Sequence, residues 1–402
     1  MIETATRQFW RATLALCLGS FMIFANVYIT QPLLPMLQQS FHLSTLEAGW
    51  SFTITTLTLG ISLLFFGPLS DALGRKWIMV VTMLGVCCTA LLLSQAESYL
   101  SLLVLRAVQG FFLGGLPAIA IAYMGDEFSE KALMVSVGLY ISGNTLGGIS
   151  GRLIGGFVGD WLGWTDAFLV MAVISLACLS VFVWLLPASQ HFKPQSLRPA
   201  KMIGAMWQHM CTPVLLLAYL IGGFNFFIFI NQYSYITFVL SAEPFNLSAS
   251  WIGLLFVTYL SGTFASAISG KVAQRLGQTQ CISLGIVILM LGSCVTLLPS
   301  IVAIVSGFFI SSFGFFFAHS TVSSWVSRHA TRAKASASSL YLLFYYVGAS
   351  IGGFYLDPFW KWLEWNGVVL GSLLILCGTL LLSGLLFRLS NIHAKRMIRA
   401  LD

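Results

Sequence analysis

Asp71, Arg75 and Lys76 fall within six residues of one another in FFGPLSDALGRKWIMV, residues 65–80, between two apolar runs. A carboxylate and two cations at that spacing can pair with each other, accept amides at a helix end, or act as a fastening that opens and closes. Four more residues could do chemistry. Arg106 and Arg152 sit inside long apolar segments, Glu47 at the edge of one, and His319 within FFFAHSTVSSW. A charge at mid-membrane depth costs about 2.5 kcal/mol or more, so each arginine demands a partner or a water-lined cavity. An imidazole, with an ordinary pKa of about 6.5, can exchange protons. It can equally pack with one hydrogen bond, and both readings stand for His319.

The elements that position these residues follow from composition. Of the 402 residues 58% are hydrophobic and 8% charged, where a soluble chain is about 25% charged. Twelve apolar runs are centred near residues 23, 58, 86, 112, 145, 175, 225, 260, 289, 313, 346 and 377. Each is long enough to cross a hydrocarbon core of about 30 Å. Lipid offers no partners to backbone amides, so the runs are predicted to be helices. The fold class is all-α integral membrane, with twelve transmembrane helices. The first run is read as a span and not a cleaved leader, because it is long and eleven more follow.

The net charge of +7 could suggest nucleic acid, but its distribution excludes that. Of the 20 basic residues, all except Arg106, Arg152 and Lys361 lie at the termini or on alternate loops. That asymmetry predicts a multi-pass protein with both termini cytoplasmic. The eight cysteines fall in or beside apolar runs without metal-ligand spacing, so no metal and no cofactor are expected.

The polar stretch SQHFKPQSLRPAK, Ser189–Lys201, divides the chain. It predicts a first six-helix bundle over 1–188, a cytoplasmic linker over 189–208, and a second bundle over 209–402. The halves repeat. FHLSTLEAG from Phe41 matches FNLSASWIG from Phe245, GPLSDALG from Gly67 matches GKVAQRLG from Gly270, and GNTLGG from Gly143 matches GASIGG from Gly348. The separations are 204, 203 and 205 positions, which indicates duplication of a six-helix unit and hence two pseudo-symmetric bundles. A two-fold repeat with a site between its halves suits alternating access.

Three motifs then carry a resemblance. Gly67, Leu69, Ser70, Asp71, Gly74, Arg75 and Lys76 match G-x-L-[AS]-D-x-x-G-R-[RK], with Ala72 at a usually basic position. Leu102, Arg106, Gln109 and Gly110 match L-x-x-x-R-x-x-Q-G. Gly143, Gly147 and Gly148 match part of G-x-x-x-G-P-x-x-G-G, with Asn144 where proline is expected. Over its whole length the chain resembles the major facilitator superfamily, most nearly the bacterial twelve-helix drug/proton antiporters. The resemblance implies an inner-membrane secondary transporter, a functional monomer, with protons as coupling ion. It implies a cytoplasmic latch of Gly67, Asp71, Gly74, Arg75, Lys76 and Asp126. In it Asp71 faces the start of the eleventh helix, near Ala335; of the acids that end the fourth helix on the same membrane side, Asp126 is expected to pair with Arg75 ahead of Glu127. For Arg106 it implies proton coupling or helix packing.

No acid is expected deep in a span, so coupling falls to Glu47, Arg106 or His319, or to the Asp126 group, and the substrate is expected to be neutral or anionic. Asn26, Tyr28, Gln31 and Pro32 are expected to interrupt the first helix; Asn225, Asn231, Gln232, Tyr233 and Tyr235 are expected to interrupt the seventh. As polar groups at matched places they could glue helices or line a cavity, together with Asn144 and Arg152. Arg152 could instead reach outer headgroups. Gly143, Gly147 and Gly148, with Gly151, Gly155 and Gly156, are expected to pack closely against the eighth helix across the halves. Gly348 and Gly352 repeat them. Proton-coupled efflux of small amphipathic compounds is the reading of choice, with uptake or exchange of a small neutral or anionic metabolite as the alternative. An enzyme is not expected, since no nucleophile with its base, metal set or phosphate loop is found.

Overall fold

The computed structural model describes residues 1–4, 6–192, 194, 199–330 and 334–399, with the backbone alone for 199–203, 205, 334, 335 and 391–399. Lys193, Arg198 and Arg332 of the charge pattern lie outside the described residues. Those residues are helical almost throughout: α1 (Arg7–Tyr28), α2 (Leu34–Phe41), α3 (Thr45–Leu73), α4 (Arg75–Leu93), α5 (Tyr99–Leu113), α6 (Gly115–Glu127), α7 (Glu130–Leu162) and α8 (Trp164–Leu185). Then follow α9 (Pro199–Met210), α10 (Pro213–Ser241), α11 (Ala249–Leu255), α12 (Tyr259–Leu276), α13 (Gln278–Val295), α14 (Ile301–His329) and α15 (Lys334–Arg399). Eleven stretches are long and apolar enough to cross a membrane. The last contains two passes. Its backbone leaves the helix at Leu363 and Glu364, and Tyr355 Oη donates to the Gly371 carbonyl at 3.2 Å, so the chain turns back on itself.

Local chemistry sets the boundaries. Pro32 and Pro35 lack the amide that would continue α1, and a short 3₁₀ turn, Gln31–Leu33, bridges to α2. Ser44 and Glu47 close a capping box at α3. Gly74 (φ 110°) and Gly277 (φ 90°) occupy the same place in the two repeats, where α3 turns into α4 and α12 into α13. That left-handed backbone favours glycine. Gly67, by contrast, lies inside α3, and a Cβ there would meet nothing within 4 Å. The turn needs Gly74 and not Gly67.

One expectation is corrected. The seventh span, α10, is not interrupted: it runs as one helix over Pro213–Ser241, and its polar side chains leave the backbone ladder intact. Asn231 Nδ2, for one, donates to the carbonyls of Phe227 and Ala349, both at 2.9 Å. Within the 189–208 segment expected to be the linker, the chain is helical from Pro199 on, as the start of α9. Pro199 at its start suits a first helical turn, and good helix formers follow.

The chain forms two compact units, residues 1–198 with 237–256, and 199–236 with 257–402. In the first, an apolar cluster of Ala25, Ile29, Leu33, Leu102, Phe168 and Met171 joins α1, α5 and α8. In the second, Phe229 stacks on Phe315 with centroids 3.9 Å apart, and Phe226 on Tyr345 at 3.6 Å.

The glycine stripe of α7 packs against α1. Cβ atoms at Gly143, Gly147, Gly151 and Gly155 would lie 2.7, 2.3, 2.2 and 2.4 Å from the carbonyl oxygens of Cys17, Phe21, Ala25 and Ile29. Residues four apart share one helix face, so this stripe can serve one neighbour only. Gly156, one residue off the stripe, is the glycine that meets Ala249 and Gly253 of α11. The expected approach of the whole stripe to the eighth span is therefore reduced to Gly156. In the second unit Cβ atoms at Gly348 and Gly352 of α15 would each lie 2.4 Å from a carbonyl oxygen of α10, that of Gly223 and that of Phe227. Gly348 and Gly352 match Gly143 and Gly147 of the first seam.

Candidate functional site

At the α3–α4 turn the buried Arg75 gathers the cluster. Its Nε donates to Asp126 Oδ2 at 3.0 Å, its Nη1 to Ser70 Oγ at 3.0 Å, and it forms an ion pair with Asp71 four residues earlier. Asp71 is 40% exposed, so that pair is partly screened. Lys76 takes a different task. Its Nζ donates to the carbonyls of Leu186 (2.5 Å) and Val183 (3.3 Å), a cation at the C-terminus of α8. Glu127 is not Arg75's partner. It is buried, accepts the amides of Gln190 and His191 at 2.7 and 3.0 Å, and meets His191 Nδ1 at 3.0 Å. Sequence reasoning missed this anchor of the polar stretch. It also missed the N-terminus, where the Ile2 amide donates to the Glu127 carbonyl at 2.7 Å and the Ser129 amide to the Ile2 carbonyl at 3.0 Å.

The coupling candidates separate. Glu47 serves the capping box, with Oε2 accepting from the Ser44 amide at 2.8 Å and Ser44 Oγ at 2.7 Å. Arg106 is fully buried and uses all five donors: Asn26 O (3.0 Å), Gln109 Oε1 (2.5 Å), Val27 O (3.1 Å), Thr30 Oγ1 (3.2 Å) and Ser51 O (3.3 Å). It ties α1, α3 and α5 together. His319 meets the Tyr341 hydroxyl at 2.8 Å through Nδ1, with the Tyr345 ring centroid 4.8 Å away.

Most polar residues expected to line a cavity are ties between helices. Asn26 bonds Ser175 at 2.8 Å and Gln109 at 3.3 Å; Gln232 bonds Ser293 at 3.0 Å; Tyr235 Oη donates to the Gly353 carbonyl at 3.1 Å; Asn144 bonds Ser20. Two places differ. Arg152, 2% exposed, does not reach outward: Gln31 Oε1 (2.7 Å) and the Gly148 carbonyl (2.9 Å) hold it. Its guanidinium carbon lies 3.9 Å from the Tyr28 ring centroid and 4.5 Å from that of Phe256. Asn225 is 1% exposed, and neither polar atom of its carboxamide has a partner among the described residues. An unmet buried amide costs about 1–3 kcal/mol, which a ligand or water can relieve.

Acids lie toward helix ends. Asp160 accepts from Ser250 Oγ at 2.7 Å, and Asp357, 6% exposed, pairs with Lys361 at 2.7 Å. Among the described residues no three His, Cys, Asp or Glu side chains are grouped to hold a metal.

Comparison with known proteins agrees with this architecture. The inner membrane transport protein YnfM of Escherichia coli is 38% identical over 98% of this chain and 94% of its own. The transporter YybF of Bacillus subtilis is 36% identical over the full chain and 99% of its own. A bacterial homologue of the human lysosomal transporter Spinster superposes with a TM-score of 0.72 at 16% identity, covering 94% of this chain and 96% of its own. The profile of the Major Facilitator Superfamily matches residues 16–353. The chain is a multi-pass membrane transporter and no enzyme, and it belongs to the major facilitator superfamily.

Proposed function

We propose that this transporter works by alternating access as a proton-coupled exporter of small amphipathic compounds, neutral or anionic before cationic. It sits as a monomer in the inner membrane with both termini cytoplasmic, and bundles 1–188 and 209–402 rock about the 189–208 link. The observation that carries the substrate preference is Arg152, a buried guanidinium between the rings of Tyr28 and Phe256. A fixed positive charge with aromatic walls attracts an anionic or polarisable amphiphile and repels a cation. Asn225 adds a donor and an acceptor for a polar group of the substrate. His319 is the coupling group, since Glu47 and Arg106 are given to a helix cap and to packing.

The test uses purified protein in liposomes with an internal pH dye and a panel of anionic, neutral and cationic compounds. Anionic or neutral members are expected to move protons in the wild type, and Arg152→Gln to raise their KM with kcat less affected. His319→Asn should abolish the proton signal while substrate counterflow persists. Stronger proton movement with the cations, or an unchanged KM in Arg152→Gln, would overturn the preference. Substrate movement without a proton signal would favour a uniporter or exchanger.

The cluster around Arg75 acts as the latch that holds the outward-facing state. Asp71→Asn removes one of its two carboxylates, while Asp126 still holds Arg75. Normal expression and thermal stability are therefore expected, with transport slowed severalfold. A well-folded Asp71→Asn protein that transports at the wild-type rate would sink the latch.

A further inference from the structure

The duplicated turn carries opposite chemistry in the two units. In the first, position 71 is aspartate, position 75 arginine, and the penultimate residue of α6, Asp126, is an acid. Their charges pair at the turn, around the buried Arg75. In the second, 203 positions on, Gln274 and Gln278 stand for Asp71 and Arg75, and the penultimate residue of α14 is Arg328, a base. The trio thus changes from two acids and one base to one base and no acid.

Between α12, α13 and α14 this exchange leaves a cavity of about 70 Å³, lined by Gln274, Gln278, Ser324 and Arg328 among others. None of these four side chains makes a hydrogen bond or ion pair with a described residue. Gln274 and Arg328 are exposed and Gln278 and Ser324 half-buried, so two carboxamides, a hydroxyl and a guanidinium line one open space with no bond to a described residue and no carboxylate among the lining residues. Ser320 and Thr321, at the same wall, already donate to Ser266 Oγ and to the Phe317 carbonyl, both at 2.8 Å, so their oxygens are fixed in place.

We infer that this cavity is a binding site for an oxyanion of phosphate size, supplied from outside the chain where the first unit supplies its own acids. Arg328 provides the charge and a planar fork of donors that suits phosphate oxygens, and Gln274, Gln278 and Ser324 complete the shell. The phosphate is that of an anionic lipid headgroup or a free ion. The chemistry is shared, and the experiment separates the sources.

The test reads binding and not transport. In detergent, inorganic phosphate is titrated by calorimetry against a chloride control of equal ionic strength. In nanodiscs, native mass spectrometry counts phosphatidylglycerol retained against phosphatidylcholine. Arg328→Gln is expected to weaken the bound phosphate about tenfold, the loss of one charge-assisted hydrogen bond. Gln278→Glu, which places a carboxylate in the lining with Arg328, is expected to abolish binding in either arm. Both residues face a cavity at a helix end, so folding should persist, checked by unchanged thermal unfolding in chloride. Arg275→Gln, outside the lining, is the control. Binding in the detergent arm assigns a free anion; retention of phosphatidylglycerol alone assigns a headgroup. Equal behaviour of wild type, Arg328→Gln and Gln278→Glu in both arms would overturn the site.

Discussion

Gly151→Val is expected to abolish folding of the first unit, and Gly151→Ala to lower thermal stability clearly. A Cβ at this position would sit 2.2 Å from the Ala25 carbonyl oxygen and 2.6 Å from its Cα. Both are backbone atoms of α1, so no side chain can swing aside. Relief would require α1 and α7 to separate along a seam that also holds Gly143, Gly147 and Gly155. Overpacking of this kind costs about 1–3 kcal/mol for one methyl group, and more where backbone must move. Association of helices in lipid depends on such close approach, because apolar burial gives little drive there. The check is size-exclusion profile and thermal unfolding in detergent, with Gly138→Ala, where a Cβ meets nothing within 4 Å, as the silent control. Gly352→Ala in the matched seam should behave like Gly151→Ala. A Gly151→Ala protein as stable as the Gly138→Ala control would show that α1 and α7 tolerate separation.

The twelve helices and the repeat were legible because bilayer thickness, period and composition write them directly into the sequence. The turn was legible as a pair of glycines, Gly67 and Gly74, of which only Gly74 takes the left-handed backbone and Gly67 lies within α3. The S-x-x-E of Ser44 to Glu47 also stands in the sequence, but the same acid suits proton coupling there, and the cap is fixed only by the structure. What the sequence leaves open is direction around a helix. Gly151 and Gly156 look alike in the chain, yet five residues on a helix turn them to different neighbours, α1 and α11. Polar residues of α10 look like an interruption, but whether an asparagine breaks a helix or bonds a neighbour depends on the partner, and Ala349 is 118 positions from Asn231. Arg75's choice of Asp126 over Glu127 likewise hinges on a side-chain direction at the end of α6. The Gln274, Gln278 and Arg328 trio was legible only as an absence of acid.

Arg106 is where the gap matters most, and Arg106→Gln is expected to leave little stable protein. The reason lies in α1. α1 ends at Tyr28, so the carbonyls of Asn26 and Val27 lie in its last turn, where the backbone ladder does not continue. In lipid each such orphan costs several kcal/mol. Arg106 donates to both, at 3.0 and 3.1 Å, and so caps the C-terminus of α1 with a cation. Its remaining donors hold Gln109, Thr30 and Ser51, while Gln109 holds Asn26 and Asn26 holds Ser175 of α8. Breaking a buried charged network from one side costs about 3–5 kcal/mol, a large part of the roughly 5–15 kcal/mol that stabilises a folded domain. Lysine cannot substitute, since three donors on one nitrogen cannot span sites that five donors in a planar fork reach. Arg106→Lys should therefore also fall in thermal stability, between wild type and Arg106→Gln. The guanidinium does not release its proton at working pH, so a coupling role predicts a different pattern. Arg106→Lys would then unfold like the wild type and show an altered pH profile of transport. Thermal unfolding with the pH profile on the same preparation decides: normal stability with a shifted profile would return Arg106 to coupling, and lost stability would fix it as the cap of α1.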